Sequence, residues 1–461
     1  MNIVILAAGQ GKRMHSNLPK VLHPIAGKPL AQHVIDTARC LDPEKLIVVY
    51  GHGGEIVRST LQADDIAWAE QAQQLGTGHA VAQAVSQLGG AAQTLVLYGD
   101  VPLTTVHTLK RLLQAGKDGL SVLTVNLDKP TGYGRIVRDT AGNMVSIVEE
   151  KDATAEQKVI CEVNTGIMAI PTARLADWLG KLKNDNAQGE YYLTDIVAMA
   201  VADGVPVVAH RITDALQVAG VNSPLQLAEL ERAHQLRQAR ALMEQGVRLA
   251  DPARFDLRDD TRTGVRGELV CGQDVEIDVN CVFTGRVELG EGVSIGANCC
   301  IANARISAGA VIHPYTHIDG EKTGATVGEG SLIGPFARLR PGAQLGREVH
   351  IGNFVEVKNS TLADGAKANH LAYLGDATVG ERVNYGAGSI TANYDGANKH
   401  RTVIEADVHI GSNCVLVAPV TIGAGGTVGG GSTITKSTEP GALSVARGKQ
   451  VSIANWQRPK K

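Results

Sequence analysis

The first chemistry in the chain is a turn suited to an anion. An apolar run over residues 3–8 feeds into Ala8-Gly9-Gln10-Gly11-Lys12-Arg13-Met14. Glycines directly after a first strand let backbone N–H groups come close to phosphate oxygens, and Lys12, Arg13 and Lys20 add positive charge. Two standard phosphate motifs are excluded. A dinucleotide fingerprint needs glycine where Met14 stands, and a P-loop needs Gly-Lys-Ser/Thr. A second polar centre, Tyr98-Gly99-Asp100, closes another apolar run. A carboxylate at the carboxyl end of a strand suits Mg²⁺ held against triphosphate oxygens. The same residue type also caps helices, so both roles stay open for Asp100.

Far along the chain, His370 stands in His370-Leu371-Ala372-Tyr373-Leu374-Gly375-Asp376, followed by Asn384-Tyr385-Gly386-Ala387-Gly388 and an Asn-rich loop over 391–399. A neutral imidazole can take the proton of an ammonium before acyl transfer; a lone histidine can equally be structural. His313, His317, His350, His370 and His409 do not recur at equivalent, adjacent repeat positions, so no zinc set is expected. Cys40, Cys161, Cys271, Cys281, Cys299, Cys300 and Cys414 include no C-x-x-C and no metal-finger spacing. Scattered thiols in a large chain suit a reducing compartment.

The elements carrying these residues follow two different periods. Beyond residue 245 aliphatics recur every six positions: Leu289, Ile295, Ile301; Val327, Ile333, Leu339, Leu345, Ile351, Val357; and, after a break over 389–407, Ile410, Leu416, Ile422, Val428, Ile434. Glycine often follows the aliphatic. That period predicts a parallel β-helix whose short strands bury apolar surface only by stacking coil on coil; a sandwich would alternate with period two. The break is an excursion such a coil does not need for stability, and loops carry function.

The first half alternates apolar runs at 3–6, 46–49, 94–98 and 120–125 with helical spacing over 30–38 and 77–87, which predicts an α/β domain with a mostly parallel sheet. Between the halves, 225–245 reads as a connecting helix with Leu230, Ala233, Leu236 and Met243 on one side. The expected division is 1–224, 225–245 and 246–461.

Composition agrees. At roughly 150 residues per domain, 461 residues imply two or three domains. A hydrophobic content of 44% supports sizeable cores, and 3% aromatic residues suit a narrow prism. Lys plus Arg of 44 against Asp plus Glu of 47 leaves no basic stripe for nucleic acid. No run approaches the ~18 apolar residues of a membrane span, and the N-terminus lacks a signal-peptide n-region. The expectation is a cytoplasmic protein with small-molecule partners, no nucleic acid and no membrane.

The first half resembles the sugar-nucleotide pyrophosphorylase family through Leu6-Ala7-Ala8-Gly9-x-Gly11-x-Arg13-Met14, Leu18-Pro19-Lys20, Gln71-x4-Gly76-Thr77, Tyr98-Gly99-Asp100, Gly132-Tyr133-Gly134-Arg135, Glu149, Asn164-Thr165-Gly166 and Asn222. The second half resembles the hexapeptide-repeat acyltransferases, whose β-helix is left-handed. Their order along the whole chain is similar to that of the bacterial bifunctional N-acetylglucosamine-1-phosphate uridyltransferase/glucosamine-1-phosphate acetyltransferases. The resemblance implies a Rossmann-like nucleotidyltransferase domain and a left-handed β-helix of hexapeptide repeats. It implies Mg²⁺ on Asp100 and Asn222, with Arg13 and Lys20 offsetting charge during transfer. UTP and UDP-N-acetylglucosamine would lie on Leu6, Ala7, Ala8, Gly9, Lys20, Gln71, Gly76, Thr77, Tyr98, Gly99, Asp100, Gly134, Glu149, Asn164 and Asn222. In the β-helix it implies His370 as base, and Arg340, Lys358, Tyr373 and Asn384 on glucosamine-1-phosphate. Ala387, Asn393, Tyr394, Ser412, Gly430 and Arg447 would meet acetyl-CoA; Gly430 departs from the alanine usual there. It further implies a homotrimer, with products feeding peptidoglycan and lipopolysaccharide synthesis.

Overall fold

The structure, a computed structural model, describes residues 1–9, 11–51, 53–61 and 63–459. Gln10 of the glycine-rich turn therefore lies outside the described residues. The chain forms two compact units, Met1–His234 and Gln235–Lys461.

In the first unit, strands such as Asn2–Ala7 and Lys45–Tyr50 are apolar at nearly every position, as sheets covered on both faces require. Side chains alternate between those faces. Ile3, Ile5, Val48 and Leu95 pack with Val34, Ile35 and Leu109, while Val4, Leu6, Ile47 and Val96 pack with Val81 and Trp178. The strand order is Val207–Ile212, Leu120–Asn126, Glu162–Pro171, Gln93–Tyr98, Asn2–Ala7, Lys45–Tyr50, Ile66–Glu70. Only Glu162–Pro171 runs antiparallel to its neighbours along this path. From Asn2–Ala7 the chain first builds outward to Lys45–Tyr50 and Ile66–Glu70, then returns to add Gln93–Tyr98 on the other side. That reversal is the topological switch point of the sheet, where the carboxyl ends of strands leave a crevice.

The second unit is a parallel β-helix. Leu332 pairs with His350 and Arg338 with Glu356 on the next coil, each 18 residues on. Strands build one 11-stranded and one 17-stranded sheet, every pair within them parallel. Every aliphatic of the six-residue ladder is buried, Ile333, Leu339, Ile351 and Val357 completely. The glycines behind them answer to close stacking. A Cβ on Gly328 would lie 2.0 Å from Gly346 O, and one on Gly352 1.9 Å from Asn369 O. Further along the coil than the buried Phe255 and Phe283, a third core ring is Tyr385, 3% exposed where neighbouring coils have Ala368 and Ile410. The alanine makes room for it.

The helix Pro224–Glu244 begins with proline after Ser223, whose Oγ accepts from Gln226 N at 3.3 Å. Its early turns bury Leu230 against Met14, Leu30 and Val221. Its later turns bury Gln235, Ala239 and Leu242. The expected stripe is thus corrected at Met243, which is 43% exposed. The inward face follows the spacing 235, 239, 242, and Met243 falls about 100° off it. Leu230→Ala should destabilise the first unit by about 2–5 kcal/mol. Urea unfolding followed by tryptophan fluorescence checks this, because Trp68 and Trp178 both belong to this unit.

Candidate functional sites

At the switch point a cavity of about 350 Å³ is lined by the glycine turn from Leu6 to Gly9, by Lys20, Gln71, Gly76, Thr77, Tyr98 and Asp100, and by Gln74 and Glu190. Backbone bonds set its walls: Gly99 N donates to Leu6 O at 2.9 Å and Gln71 N to Tyr50 O at 2.8 Å. Gly11 has φ +61°, and a Cβ there would lie 2.7 Å from Lys20 Cβ. The turn can therefore close over the root of Lys20 only with glycine at this position. Arg13 sits exposed on the short 3-10 helix Lys12–Met14.

Asp100 does not cap the next helix. That task falls to Thr105, whose Oγ1 accepts from Thr108 N at 3.2 Å. Asp100 instead pairs with the Lys20 ammonium, and Asn222 Oδ1 lies 3.2 Å from the same nitrogen. Val221 N donates to Asp100 O at 3.0 Å, which ties the two segments together.

Gly134, Glu149 and Asn164 form a second group beside this cavity. Asn164 N donates to Gly134 O at 2.9 Å, and a Cβ on Gly134 would reach Glu149 Oε1 at 3.3 Å. Burial pushes the Glu149 carboxyl above the usual range, outweighing the hydrogen bond from Thr194 at 3.0 Å. Tyr98 joins the two groups. Burial first, then the Glu149 and Asp100 charges, raise its phenol so that it stays a neutral donor, and its ring lies against the backbone of Gly166.

In the β-helix, one corner carries a ladder of left-handed residues: Phe354, Leu371, Gly388, Asn413 and Gly431. In the last four, the N–H bonds to the carbonyl preceding the corner one coil earlier: Leu371 to Asn353, Gly388 to His370, Asn413 to Ala387, Gly431 to Ser412. Hence His370, Ala387, Ser412 and Gly430, scattered in sequence, hold the same corner position in four successive coils. His370 Nδ1 is 3.1 Å from Asn353 Oδ1. Arg447 Nη1 donates to Gly430 O at 2.8 Å. A Cβ on Gly430 would meet Ser412 O at an ordinary 3.4 Å, so an alanine there would be tolerated.

A cationic group lies on a neighbouring face. Arg340 Nη1 donates to Glu356 Oε1 at 2.8 Å. Partial burial, then the Arg340 and Lys399 charges, hold the Lys358 ammonium below its ordinary range. Such crowded cations favour a phosphate dianion. Asn393 Nδ2 donates to buried Asp376, which also accepts from Asn359 and so anchors the excursion loop. Tyr394 is exposed on that loop, Asn384 lies exposed on the strand Asn384–Tyr385, and the Tyr373 ring folds over Gly375.

Residues 3–249 match the MobA-like NTP transferase domain family, and residues 324–359 and 401–436 match the bacterial transferase hexapeptide family. The Bifunctional protein GlmU of Paracidovorax citrulli is 74% identical over 467 residues, spanning 100% of this chain and 98% of that protein. The chain belongs to the bifunctional GlmU family. Proteins of the same name from Acidovorax sp. strain JS42 and Dechloromonas aromatica are 71% and 68% identical, each across 100% of this chain. Like other GlmU proteins, it is a bifunctional transferase carrying a nucleotidyltransferase half and a hexapeptide acetyltransferase half.

Several site residues were given no role by sequence reasoning. Gln74 donates to Ala8 O at 2.6 Å and so shapes the glycine turn. Asn353 orients His370, and Lys399 joins the cationic group. Only Asn353 carried a signal: it lies 17 residues before His370, one coil in this part of the helix.

Proposed function

We propose that this chain makes UDP-N-acetylglucosamine by two reactions. Acetyl-CoA first acetylates glucosamine-1-phosphate on the β-helix; the α/β unit then joins N-acetylglucosamine-1-phosphate to UTP and releases pyrophosphate. The observation carrying this proposal most is the meeting, in one cavity at the switch point, of a glycine turn, Lys20 and Asp100, with Asn222 Oδ1 3.2 Å from the Lys20 ammonium.

In the uridyl step a sugar-phosphate oxygen attacks the α-phosphorus of UTP, and the bond to pyrophosphate breaks. The nucleophile is already anionic, so positioning and charge neutralisation suffice. Asp100 and Asn222 present a carboxylate and a carbonyl oxygen to one cation, a donor set that fits Mg²⁺. Mg²⁺ there supplies charge neutralisation on the triphosphate. Arg13 and Lys20 offset charge on the departing pyrophosphate. Gln71, Gly76 and Thr77 hold the nucleotide; Tyr98, Gly134, Glu149 and Asn164 face the sugar.

In the acetyl step the amine nitrogen attacks the thioester carbonyl and the C–S bond breaks. His370 accepts the proton the nitrogen must lose. Arg340, Lys358, Tyr373 and Asn384 grip the sugar phosphate. Acetyl-CoA lies along Ala387, Ser412, Gly430 and Arg447, with Asn393 and Tyr394 beside it. A trimer accounts for one further feature. Tyr315, Phe336 and Phe354 stack at 5.0 and 5.5 Å on the same corner, and with Leu371 they are about half exposed or more; an apolar ladder of this kind suits association with other β-helices. With these substrates the site of action is the cytoplasm.

The direct test is an assay of the purified protein with each substrate omitted in turn. Free thiol should appear from acetyl-CoA only when glucosamine-1-phosphate is present. We assign catalysis to 1–224 and 246–461, with 225–245 connecting them. Because Leu230 completes a core with Met14 and Leu30, the fragment to assay is 1–244. It should form UDP-N-acetylglucosamine from UTP and N-acetylglucosamine-1-phosphate and release no coenzyme A. A folded fragment without uridyl transfer sinks the assignment.

A further inference from the structure

The cavity at the switch point contains a cation of its own. The Lys20 ammonium touches Asp100 Oδ2 and lies 3.2 Å from Asn222 Oδ1. Lys20 and Asp100 side chains are only 13% and 14% exposed, and a carboxylate so enclosed is costly without a counter-ion. The two oxygens are also brought together independently of any metal: Val221 N bonds to Asp100 O at 3.0 Å, and Asn222 N to Gln226 Oε1 at 2.8 Å. The place where a divalent ion would find both oxygens is therefore already occupied by a side-chain charge.

We propose that Lys20 is the resting cation of this site, so that divalent-ion binding and release of the Lys20 ammonium are a single exchange. This rests on the metal assignment to Asp100 and Asn222 proposed above. A doubly charged ion and an ammonium repel each other and cannot share the same two oxygens. The geometry shows how Lys20 yields. Its root is fixed, since Lys20–Leu22 is a 3-10 turn with Val21 and Leu22 buried and Gly11 packed against Lys20 Cβ. Its tip is a point charge on a flexible four-carbon stem, in a cavity it shares with the glycine turn. Displaced from Asp100, the ammonium can turn toward the triphosphate.

Two consequences follow. Without nucleotide the site holds divalent ions weakly, because binding leaves the ammonium without a partner. With nucleotide the phosphates receive it, so nucleotide and metal strengthen each other's binding by the same factor. Lys20 thereby couples arrival of the metal to arrival of its substrate.

The test is Mn²⁺ binding to the full chain, read from the EPR signal of free Mn²⁺, with and without UTP. Lys20→Met removes the charge and keeps the stem. Without nucleotide it should bind Mn²⁺ about tenfold or more tighter than the wild type, the worth of one charge-assisted hydrogen bond. UTP should tighten Mn²⁺ binding more in the wild type than in the variant. Lys20→Gln repeats the comparison should Lys20→Met fold poorly. Equal or weaker Mn²⁺ binding by both variants overturns the exchange. The metal assignment is read separately from Asp100→Asn: it stands if that change weakens Mn²⁺ binding to the UTP complex, and it fails, taking the exchange with it, if the affinity is unchanged.

Discussion

His370→Ala should lower acetyl transfer ~10²–10⁴-fold, the usual worth of general-base catalysis, or roughly 3–5 kcal/mol of barrier. The acceptor amine is largely protonated at neutral pH, and a protonated nitrogen has no lone pair for attack on a thioester. With Asn353 Oδ1 accepting from Nδ1–H at 3.1 Å, the imidazole lone pair sits on Nε2, free to take that proton. Asn353→Ala should weaken the same step by releasing the ring. Acetyl-CoA affinity should survive in both variants, because Ala387, Ser412, Gly430 and Arg447 stay in place along the corner. Uridyl transfer, which belongs to the other unit, should be unchanged. The measurement is acetyl-transfer rate against pH, alongside acetyl-CoA affinity. A variant that keeps nearly full rate, or fails only by losing acetyl-CoA, removes His370 from the chemistry.

Why the β-helix was legible and its site only partly so has a physical basis. The six-residue ladder encodes what each coil must bury, and each of its aliphatics is an inward contact. Strand Asn2–Ala7 was legible for the same reason: a strand covered on both faces leaves an unbroken apolar run. Corner geometry carries no such signal. The left-handed positions are filled by Asn280, Asn298, Tyr315, Phe336, Phe354 and Leu371 as well as by glycine, so residue type did not mark them. The alignment of His370 with Ala387, Ser412 and Gly430 becomes visible only once the coils are stacked. Coil lengths vary with the 393–401 excursion, which makes the spacing from Ala387 to Ser412 longer than that from His370 to Ala387.

The first unit hid its site differently. Asp100 could be placed at a strand end from the apolar run before it, but its alternative as a cap was settled by Thr105, five residues on. Asn222 had no local signal at all. It reaches Lys20 across 202 residues, through a strand order no local pattern specifies. Met243 failed for a simpler reason: helical spacing alone does not say which face meets which neighbour when the partner changes along the helix.

Asp100→Asn should reduce uridyl transfer ~10²–10³-fold, the scale on which one preorganised electrostatic contact to developing charge is usually felt, and leave acetyl transfer near wild type. The substitution changes little in shape and removes one charge. Lys20 would then face two amide oxygens in place of a carboxylate, and a divalent ion would lose its one anionic ligand. Because the lost term is charge on the cation-binding oxygens, raising Mg²⁺ should recover part of the rate, whereas raising UTP alone should not. The readout is initial rate across a grid of Mg²⁺ and UTP, with acetyl transfer on the same preparation as the folding control. Equal loss of both activities would indicate misfolding. Loss of uridyl transfer that no Mg²⁺ concentration relieves would place Asp100 in orienting Lys20 instead of holding the ion.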